Sequence, residues 1–113
     1  LAALVLLNDP SYVEAARVFA ERAIRQGGTA DRGRIDWIMR HALSRSGQDD
    51  EAVVLQSLLD SQRQHYTNQP DAAKQSVSVG LHRVPGDINS VELAAWMAVT
   101  RVVFNMHEFI TRN

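Results

Sequence analysis

Residues 93–106 read LAAWMAVTRVVFNM, and Arg101 is the single charged residue in this stretch. Apolar side chains occupy nearly every direction around such a helix, which is typical of a helix that is buried on all sides. Just before it, Asn89 followed by Glu92 resembles a capping box. We therefore predict a central helix over about residues 90–105, with a carboxylate or helix-end carbonyls of the same fold as the partner of Arg101.

Amphipathic segments with apolar residues at helical spacing precede this stretch. They run from Pro10 to Gly27-Gly28, from Thr29 or Asp31 to Leu43, from Asp49 to Asn68, and from Pro70 to Val77 or Val79. Leu1 to Leu7 adds a short apolar helix end. No segment shows the alternation of polar and apolar residues that is typical of a strand, so we predict an all-α fold. The expected architecture is a compact bundle of five or six helices around the central apolar helix.

The apolar stripes define the inner face of each amphipathic helix. The predicted inner residues are Tyr12, Val13, Ala16, Phe19, Ala20, Ala23 and Ile24, then Ile35, Ile38, Met39, Ala42 and Leu43, then Ala52, Leu55, Leu58, Leu59, Gln62 and Tyr66. Most charged residues of the first amphipathic helix, including Glu14, Arg17 and Glu21, are expected on its solvent side. Asp31 and Asp36 lie among arginines and predict a solvated, salt-linked face.

Two stretches of the chain resemble each other. LLNDPSYVEAA begins at Leu6 and VVFNMHEFI begins at Val102, and each passes from apolar residues into an asparagine, Asn8 or Asn105. Asparagine tolerates the left-handed conformation that ends a helix and reverses the chain. We expect a helix-turn-helix joint at both places. A true internal duplication is the alternative.

Length and composition indicate one domain, residues 1–113, with one core. The chain begins within an apolar helical pattern and without an initiator methionine. We therefore interpret it as the C-terminal fragment of a longer multidomain protein. The net charge of -1 and the interleaving of acidic and basic residues disfavour binding to nucleic acid. Seven apolar residues at the start are too few to span a membrane. The absence of cysteine excludes disulfides and thiolate metal sites.

Three stretches carry a family resemblance: LLNDPSYVEAARVFAERAI, RIDWIMRHALSR and ELAAWMAVTRVVFNMHEFITRN. In this order they resemble the C-terminal part of a planctomycete-specific domain family of unknown function. The strongest elements are Leu7 to Pro10, Ala42 to Arg45, Ala95-Trp96, and Asn105 to Phe109. The family usually has glycine where Ser44 stands.

The resemblance carries expectations about the setting of the chain. The family occurs in large predicted exported proteins that often carry cytochrome-c-like domains. It therefore implies an exported or periplasmic location and a haem-bearing neighbour in the same polypeptide. It implies no haem in this segment and brings no catalytic residues with it.

Candidate ligands and catalytic groups are scattered along the sequence. The histidines His41, His65, His82 and His107 show no metal-binding spacing. Asp49-Asp50-Glu51 suits the negatively charged start of a helix better than a cation site. No catalytic motif is recognisable, and we expect no cofactor in this fragment.

Trp37 with Arg34 and Arg40 is the candidate contact patch, because interfaces are enriched in tryptophan and arginine. Leu4 belongs to the apolar N-terminal segment, which is expected to self-associate or to dock against upstream domains or another protein. Trp96 is expected in the core. The predicted function is a non-catalytic accessory or interaction module. The alternative is part of an exported enzyme or electron-transfer protein whose catalytic or haem groups lie upstream.

Overall fold

The computed structural model describes residues 10–45, 47–79 and 84–111, and the side chains as far as Met106. In these ranges it contains five helices and no strand. The helices are α1 (Pro10–Gln26), α2 (Asp31–Leu43), α3 (Asp49–Asn68), α4 (Pro70–Val77) and α5 (Ser90–Thr111). The predicted all-α class is confirmed. The predicted helix end at Leu1 to Leu7, which includes Leu4, lies outside the described residues.

The last helix, α5, is the centre of the bundle. It packs against α1, α2, α3 and α4. Its buried residues are Leu93, Ala94, Ala95, Trp96, Met97, Val99, Thr100 and Val103. Val102, however, is 40% exposed, so one side of this helix meets solvent although its sequence is apolar there.

The inner faces of the shorter helices follow the predicted stripes. The fully or almost fully buried members are Ala16, Ala20 and Ala23 on α1, Ile35, Ile38 and Met39 on α2, and Ala52, Leu55 and Leu59 on α3. Ala73 and Val77 of α4 complete the core. Burial of these apolar surfaces is the main favourable contribution to folding.

The helix ends also follow the sequence. Gly28 ends α1 with a φ of +88°, a conformation that glycine adopts without steric cost. Ser44 ends α2 in the left-handed region, with a φ of 60°, at the position where the resembling family usually has glycine. At the start of α5 the Asn89 side chain accepts hydrogen bonds from the backbone N–H groups of Val91 (2.8 Å) and Glu92 (3.3 Å). Asn89 is thus an N-cap.

The second predicted joint is wrong. Asn105 lies inside α5, which continues to Thr111, and within the described residues Ser44 is the non-glycine residue with positive φ. Asparagine opposes an α-helix by less than 1 kcal/mol or so, and neither glycine nor proline follows it. The helix therefore runs through this position. The first copy of the repeated pattern, around Asn8, lies outside the described residues.

The predicted solvent position of Arg17 is also wrong. Arg17 is fully buried, and its guanidinium lies 3.8 Å from the carboxylate of Glu14 and 3.8 Å from that of Glu21. The position is four residues after Val13 and three before Ala20, so it belongs to the inner stripe by spacing. Arg101, the expected buried cation, is only half-buried.

Candidate interaction surface

Trp37 lies half-buried between α1 and α2. Its ring is 5.1 Å from that of Phe19 and stacks on His41 at 4.0 Å between centroids. The guanidinium of Arg22, from α1, lies 5.5 Å from the Trp37 centroid, within the range of a cation–π contact. Trp37 therefore presents one edge of an aromatic cluster that two helices build.

The arginines predicted beside Trp37 occupy different places. The Arg34 Nε group donates to the Gly28 carbonyl at 3.0 Å, and the guanidinium lies 6.0 Å from the Trp96 centroid. Arg34 thus closes the α1–α2 turn. Arg40 is exposed on α2. A contact patch of Arg34, Trp37 and Arg40 stays a prediction.

A row of aromatic rings continues from Phe19 to α5. The centroid of Phe19 is 5.1 Å from that of Phe104, and Phe104 is 5.9 Å from Tyr12. These edge-to-face distances are favourable for aromatic pairs. The row joins α1 to the second half of α5, and the Tyr12 hydroxyl donates to the Arg101 carbonyl at 3.3 Å.

Arg63 of α3 binds two carboxylates from different helices. It donates to both oxygens of Asp31 at 2.7 and 2.8 Å, and to both oxygens of Glu92 at 2.7 and 2.8 Å. Hydrogen bonding to Asp31 and then to Glu92 raises the pKa of Arg63 above its ordinary value. The Arg63 guanidinium in turn lowers the pKa of Asp31. Such bidentate pairs fix geometry strongly, so Arg63 joins α2, α3 and α5.

The pairing of Glu92 also involves Trp96. The indole Nε1 of Trp96 donates to the Glu92 carboxylate at 3.3 Å. Asp31 accepts a further hydrogen bond from the Gln56 side chain at 3.0 Å. Of the solvated, salt-linked face predicted around Asp31 and Asp36, the structure therefore shows only the part at Asp36. Asp36 pairs with Arg32 at 3.2 Å on an exposed surface, whereas Asp31 turns to Arg63.

The acidic start of α3 is held by arginines. Glu51 accepts two hydrogen bonds from Arg45, both at 2.9 Å, and one from the Gln48 backbone N–H at 2.9 Å. These bonds, the Arg45 pair foremost, lower the pKa of Glu51 to about 2. Asp49 pairs with Arg32 at 2.8 Å. The pairing agrees with the prediction of a charged helix start.

Glu51→Gln is expected to remove part of the acid sensitivity of the fold. The folded-state pKa of Glu51 lies below its ordinary value of 4.5, so the stabilisation by this carboxylate is present above the ordinary pKa and is lost as the pH falls through about 2. Near neutral pH we expect the free energy of unfolding to fall by about 1 kcal/mol. The difference from the native chain should vanish near pH 2. Urea denaturation across this range measures it.

Arg45→Gln provides the control for this prediction. If Arg45 is the main partner of Glu51, adding Glu51→Gln to Arg45→Gln should change the pH dependence much less than Glu51→Gln does alone. Parallel pH curves for the native chain and Glu51→Gln would contradict the assignment.

An open apolar groove runs between α3 and α5, and we name it the α3–α5 groove. Its aliphatic lining residues are Val54, Leu55, Leu58, Ala98, Val102 and Met106. Val54 is 65% exposed and Val102 is 40% exposed. Scattered exposed apolar residues are ordinary, but these two border one groove, and contiguous apolar surface marks contact sites.

The two ends of the α3–α5 groove differ in charge. Asp50 and Glu51 border the end near the start of α3. Arg101 and Gln62 border the other end. Val102 and Met106 line both parts. The groove therefore combines an apolar floor with one acidic and one basic end.

The groove residues were missed from the sequence, although a signal exists. Val53 and Val54 are apolar positions outside the inner stripe that contains Leu55 and Leu59. On an amphipathic helix such positions are normally polar. Val102 gave no signal, because the apolar sequence around it predicted burial on every side.

The described histidines do not form a site. His41 is exposed, and its Nδ1 lies 2.8 Å from the Trp37 carbonyl oxygen. His65 is exposed beside Tyr66, with ring centroids 4.8 Å apart. The side chains of His82 and His107 lie outside the described residues. Within the part of the chain that the structure describes, no group of three histidine or acidic side chains could hold a metal ion.

In the described part of the chain, no helix is both long enough and apolar enough to cross a bilayer.

A family model matches residues 1–59, just over half of the chain; it is described as PSD1, a protein of unknown function (DUF1553). The matched residues include Leu7 to Pro10 and Ala42 to Arg45, and the match ends within α3. No curated protein and no solved structure matches the chain.

Proposed function

The chain belongs to the PSD1 family of proteins of unknown function, and we propose that it is a non-catalytic accessory domain that acts by contacting protein surface. The observation that carries this proposal is the α3–α5 groove, where Val54 and Val102 expose aliphatic surface next to Met106. Exposed apolar surface of this kind is typical of contact sites.

The pairing of the charged side chains supports the same proposal. Asp31, Glu51 and Glu92 each accept hydrogen bonds from an arginine through both carboxylate oxygens, Asp31 and Glu92 from Arg63 and Glu51 from Arg45. A general acid or base needs a proton-transfer group that can reach a substrate. These carboxylates instead serve the architecture.

For the wider setting we propose a large exported protein of planctomycetes that also carries cytochrome-c-like domains. The resemblance at Leu7 to Pro10 and Ala42 to Arg45 supports this, and both segments lie within the matched residues. In the alternative function the chain is part of an exported enzyme or electron-transfer protein, with its haem or catalytic groups upstream. In either case this segment should bind no haem. A Soret band on titration of the chain with haem would contradict that.

Binding of the dye 1-anilinonaphthalene-8-sulfonate tests whether the groove accepts an apolar ligand. The native chain at high dilution should enhance the dye fluorescence, and Val54→Glu should remove most of the enhancement. Val53→Glu is the matched control, because Val53 is 62% exposed on the neighbouring position but does not line the groove. Equal fluorescence with both variants, or none with the native chain, would reject the groove as a binding surface.

A further inference from the structure

We propose that an open pocket between α1 and the second half of α5 binds the C-terminal aromatic residue of a protein partner, whose carboxylate is bound by Arg22. We name it the α1–α5 pocket. It has a volume of about 400 Å³ and is lined by Ser11, Glu14, Ala15, Val18, Phe19, Arg22 and Phe104. None of these described residues belongs to the α3–α5 groove. The pocket is therefore a second surface, beyond the one that carries the proposed function.

The floor of the α1–α5 pocket is apolar and aromatic. Ala15, Val18 and Arg22 lie at spacings of three and four along α1 and therefore share one face of this helix. Phe19 lies beside this face, and its ring centroid is 5.1 Å from that of Phe104 on α5. Both phenylalanines are half-buried, so part of each side chain is open to a ligand. Aromatic rings pair favourably at centroid distances of about 4.5–7 Å, which favours an aromatic side chain as the occupant.

Arg22 supplies a positive charge at one end of the pocket. Arg22 is exposed, and its guanidinium lies over the ring of Trp37, 5.5 Å from the centroid. In the described part of the chain Arg22 forms no ion pair, whereas Arg25, three residues further along α1, binds both oxygens of Asp87. A guanidinium that stacks on an aromatic ring keeps its in-plane N–H groups available, and their fork matches the two oxygens of a carboxylate. Arg22 is thus placed to bind an anionic group.

The length of the pocket favours the end of a peptide chain over a free amino acid. The lining extends along α1 from Ser11 to Arg22, a helical distance of about 16 Å. Four or five residues of extended chain cover about the same distance. A chain end can therefore place its carboxylate at Arg22, its last side chain against Phe19 and Phe104, and its preceding residues along α1.

The acidic residue of the lining does not oppose this arrangement. Glu14 lies two helical turns before Arg22, about 12 Å along the axis. This separation exceeds the screening distance of about 8 Å at physiological salt. The Glu14 carboxylate also lies 3.8 Å from the guanidinium of Arg17. A carboxylate at Arg22 therefore meets the positive end of the pocket.

Titration of the isotope-labelled complete chain with acetyl-Gly-Ala-Ala-Phe, followed by amide chemical shifts, tests the proposal. The shifts should concentrate around Phe19, Arg22 and Phe104. The same peptide with a C-terminal amide should bind about tenfold more weakly, because it lacks the charge that strengthens the hydrogen bonds to Arg22. Equal affinity for both peptides, or no binding, overturns the proposal.

A second ligand distinguishes a chain end from a small carboxylate. N-acetyl-phenylalanine carries the same ring and carboxylate but lacks the preceding residues, so it should bind more weakly than the peptide. If it binds as tightly as the peptide, the residues along α1 contribute nothing. That result would overturn the assignment of the pocket to a protein partner.

Arg22→Gln tests the role of the guanidinium. It should weaken binding of the acid peptide by about tenfold and leave binding of the amide peptide nearly unchanged, because only the acid carries the charge that Arg22 binds. Arg25→Gln is the matched control, since Arg25 is exposed on the same helix but binds Asp87 and does not line the pocket. It should change neither affinity by more than about twofold, because a charge outside the pocket is screened. Equal losses for both peptides with Arg22→Gln would overturn the role of Arg22.

Two further variants separate the α1–α5 pocket from the rest of the surface. Ala15 is exposed and lines the pocket, so Ala15→Phe should fill the pocket without disturbing the core and should weaken binding of both peptides. Val54→Glu alters the α3–α5 groove and should leave peptide binding intact, whereas Arg22→Gln should leave dye binding at the groove intact. Circular dichroism confirms that each variant is folded. Peptide binding that survives Ala15→Phe, or that Val54→Glu abolishes, would overturn the pocket as the site.

Discussion

Residues 1–59 produced alone are expected to be unfolded, although they are the part that the family model matches. This fragment lacks α5, against which α1, α2 and α3 all pack. Truncation of one buried aromatic side chain costs about 3–5 kcal/mol, and a whole domain is stable by only about 5–15 kcal/mol. Loss of Trp96 together with the other buried residues of α5 therefore exceeds the stability available. We accordingly predict that the end of the match within α3 is not a domain boundary.

Circular dichroism and thermal melting measure this prediction, with the complete chain as the control. The fragment should show little helix and no cooperative transition, whereas the complete chain should show both. A cooperative melt of residues 1–59 would mean that α1, α2 and the first half of α3 form a core without α5. That result would contradict the central position of α5 in the bundle.

Much of the fold could be predicted because the relevant information is local. Apolar spacing along α2 identifies Ile35, Ile38 and Met39 as inner residues, and all three are fully buried. Gly28 and Pro70 mark helix ends through their own backbone preferences. The order of the helices and most of their bounds follow from such signals without knowledge of any long-range contact, although α5 continues past its predicted end near residue 105 to Thr111.

Two of the errors concern charged residues, one buried beside neighbours on its own helix and one paired with a residue distant in sequence. Arg17 occupies an inner position by spacing, but its charge predicted exposure; in the structure it is buried with the carboxylates of Glu14 and Glu21 3.8 Å from its guanidinium. Asp31 has several arginines nearby in sequence, yet it binds Arg63, which is 32 positions away. Local charge patterns cannot decide between such partners, because the packing of α2 on α3 brings Arg63 into place.

The α3–α5 groove was also missed because it depends on how the helices pack, which the local sequence does not show. The sequence of α5 is apolar on nearly every side, which predicts complete burial, but four shorter helices cover it unevenly and leave Val102 exposed. The number and length of the covering helices decide this exposure. An apolar helix with one uncovered side is thus both the core of the bundle and the source of its candidate contact surface.

Trp96→Ala is expected to lower the free energy of unfolding by about 3–5 kcal/mol, the usual cost of truncating a core aromatic residue. Trp96 is 0% exposed, and its Nε1 donates to Glu92, which also binds Arg63. The substitution would leave a cavity at the centre of the bundle and remove a hydrogen bond from this pairing. Trp37→Ala is the matched control. Trp37 is half-buried, so we expect a smaller loss of about 1–2 kcal/mol, from partial burial and its aromatic contacts.

Urea denaturation of both variants decides between a central and a peripheral tryptophan. Trp96→Phe separates two contributions, because it keeps most of the aromatic volume but loses the hydrogen bond to Glu92. A hydrogen bond to a charged acceptor is worth about 1.5–3 kcal/mol. A loss for Trp96→Phe close to that for Trp96→Ala would assign the effect to the hydrogen bond rather than to packing. Equal losses for Trp96→Ala and Trp37→Ala would mean that the cluster of Phe19, Trp37 and His41 contributes as much to stability as the packing around α5. The bundle would then have two centres of stability, one on α5 and one between α1 and α2.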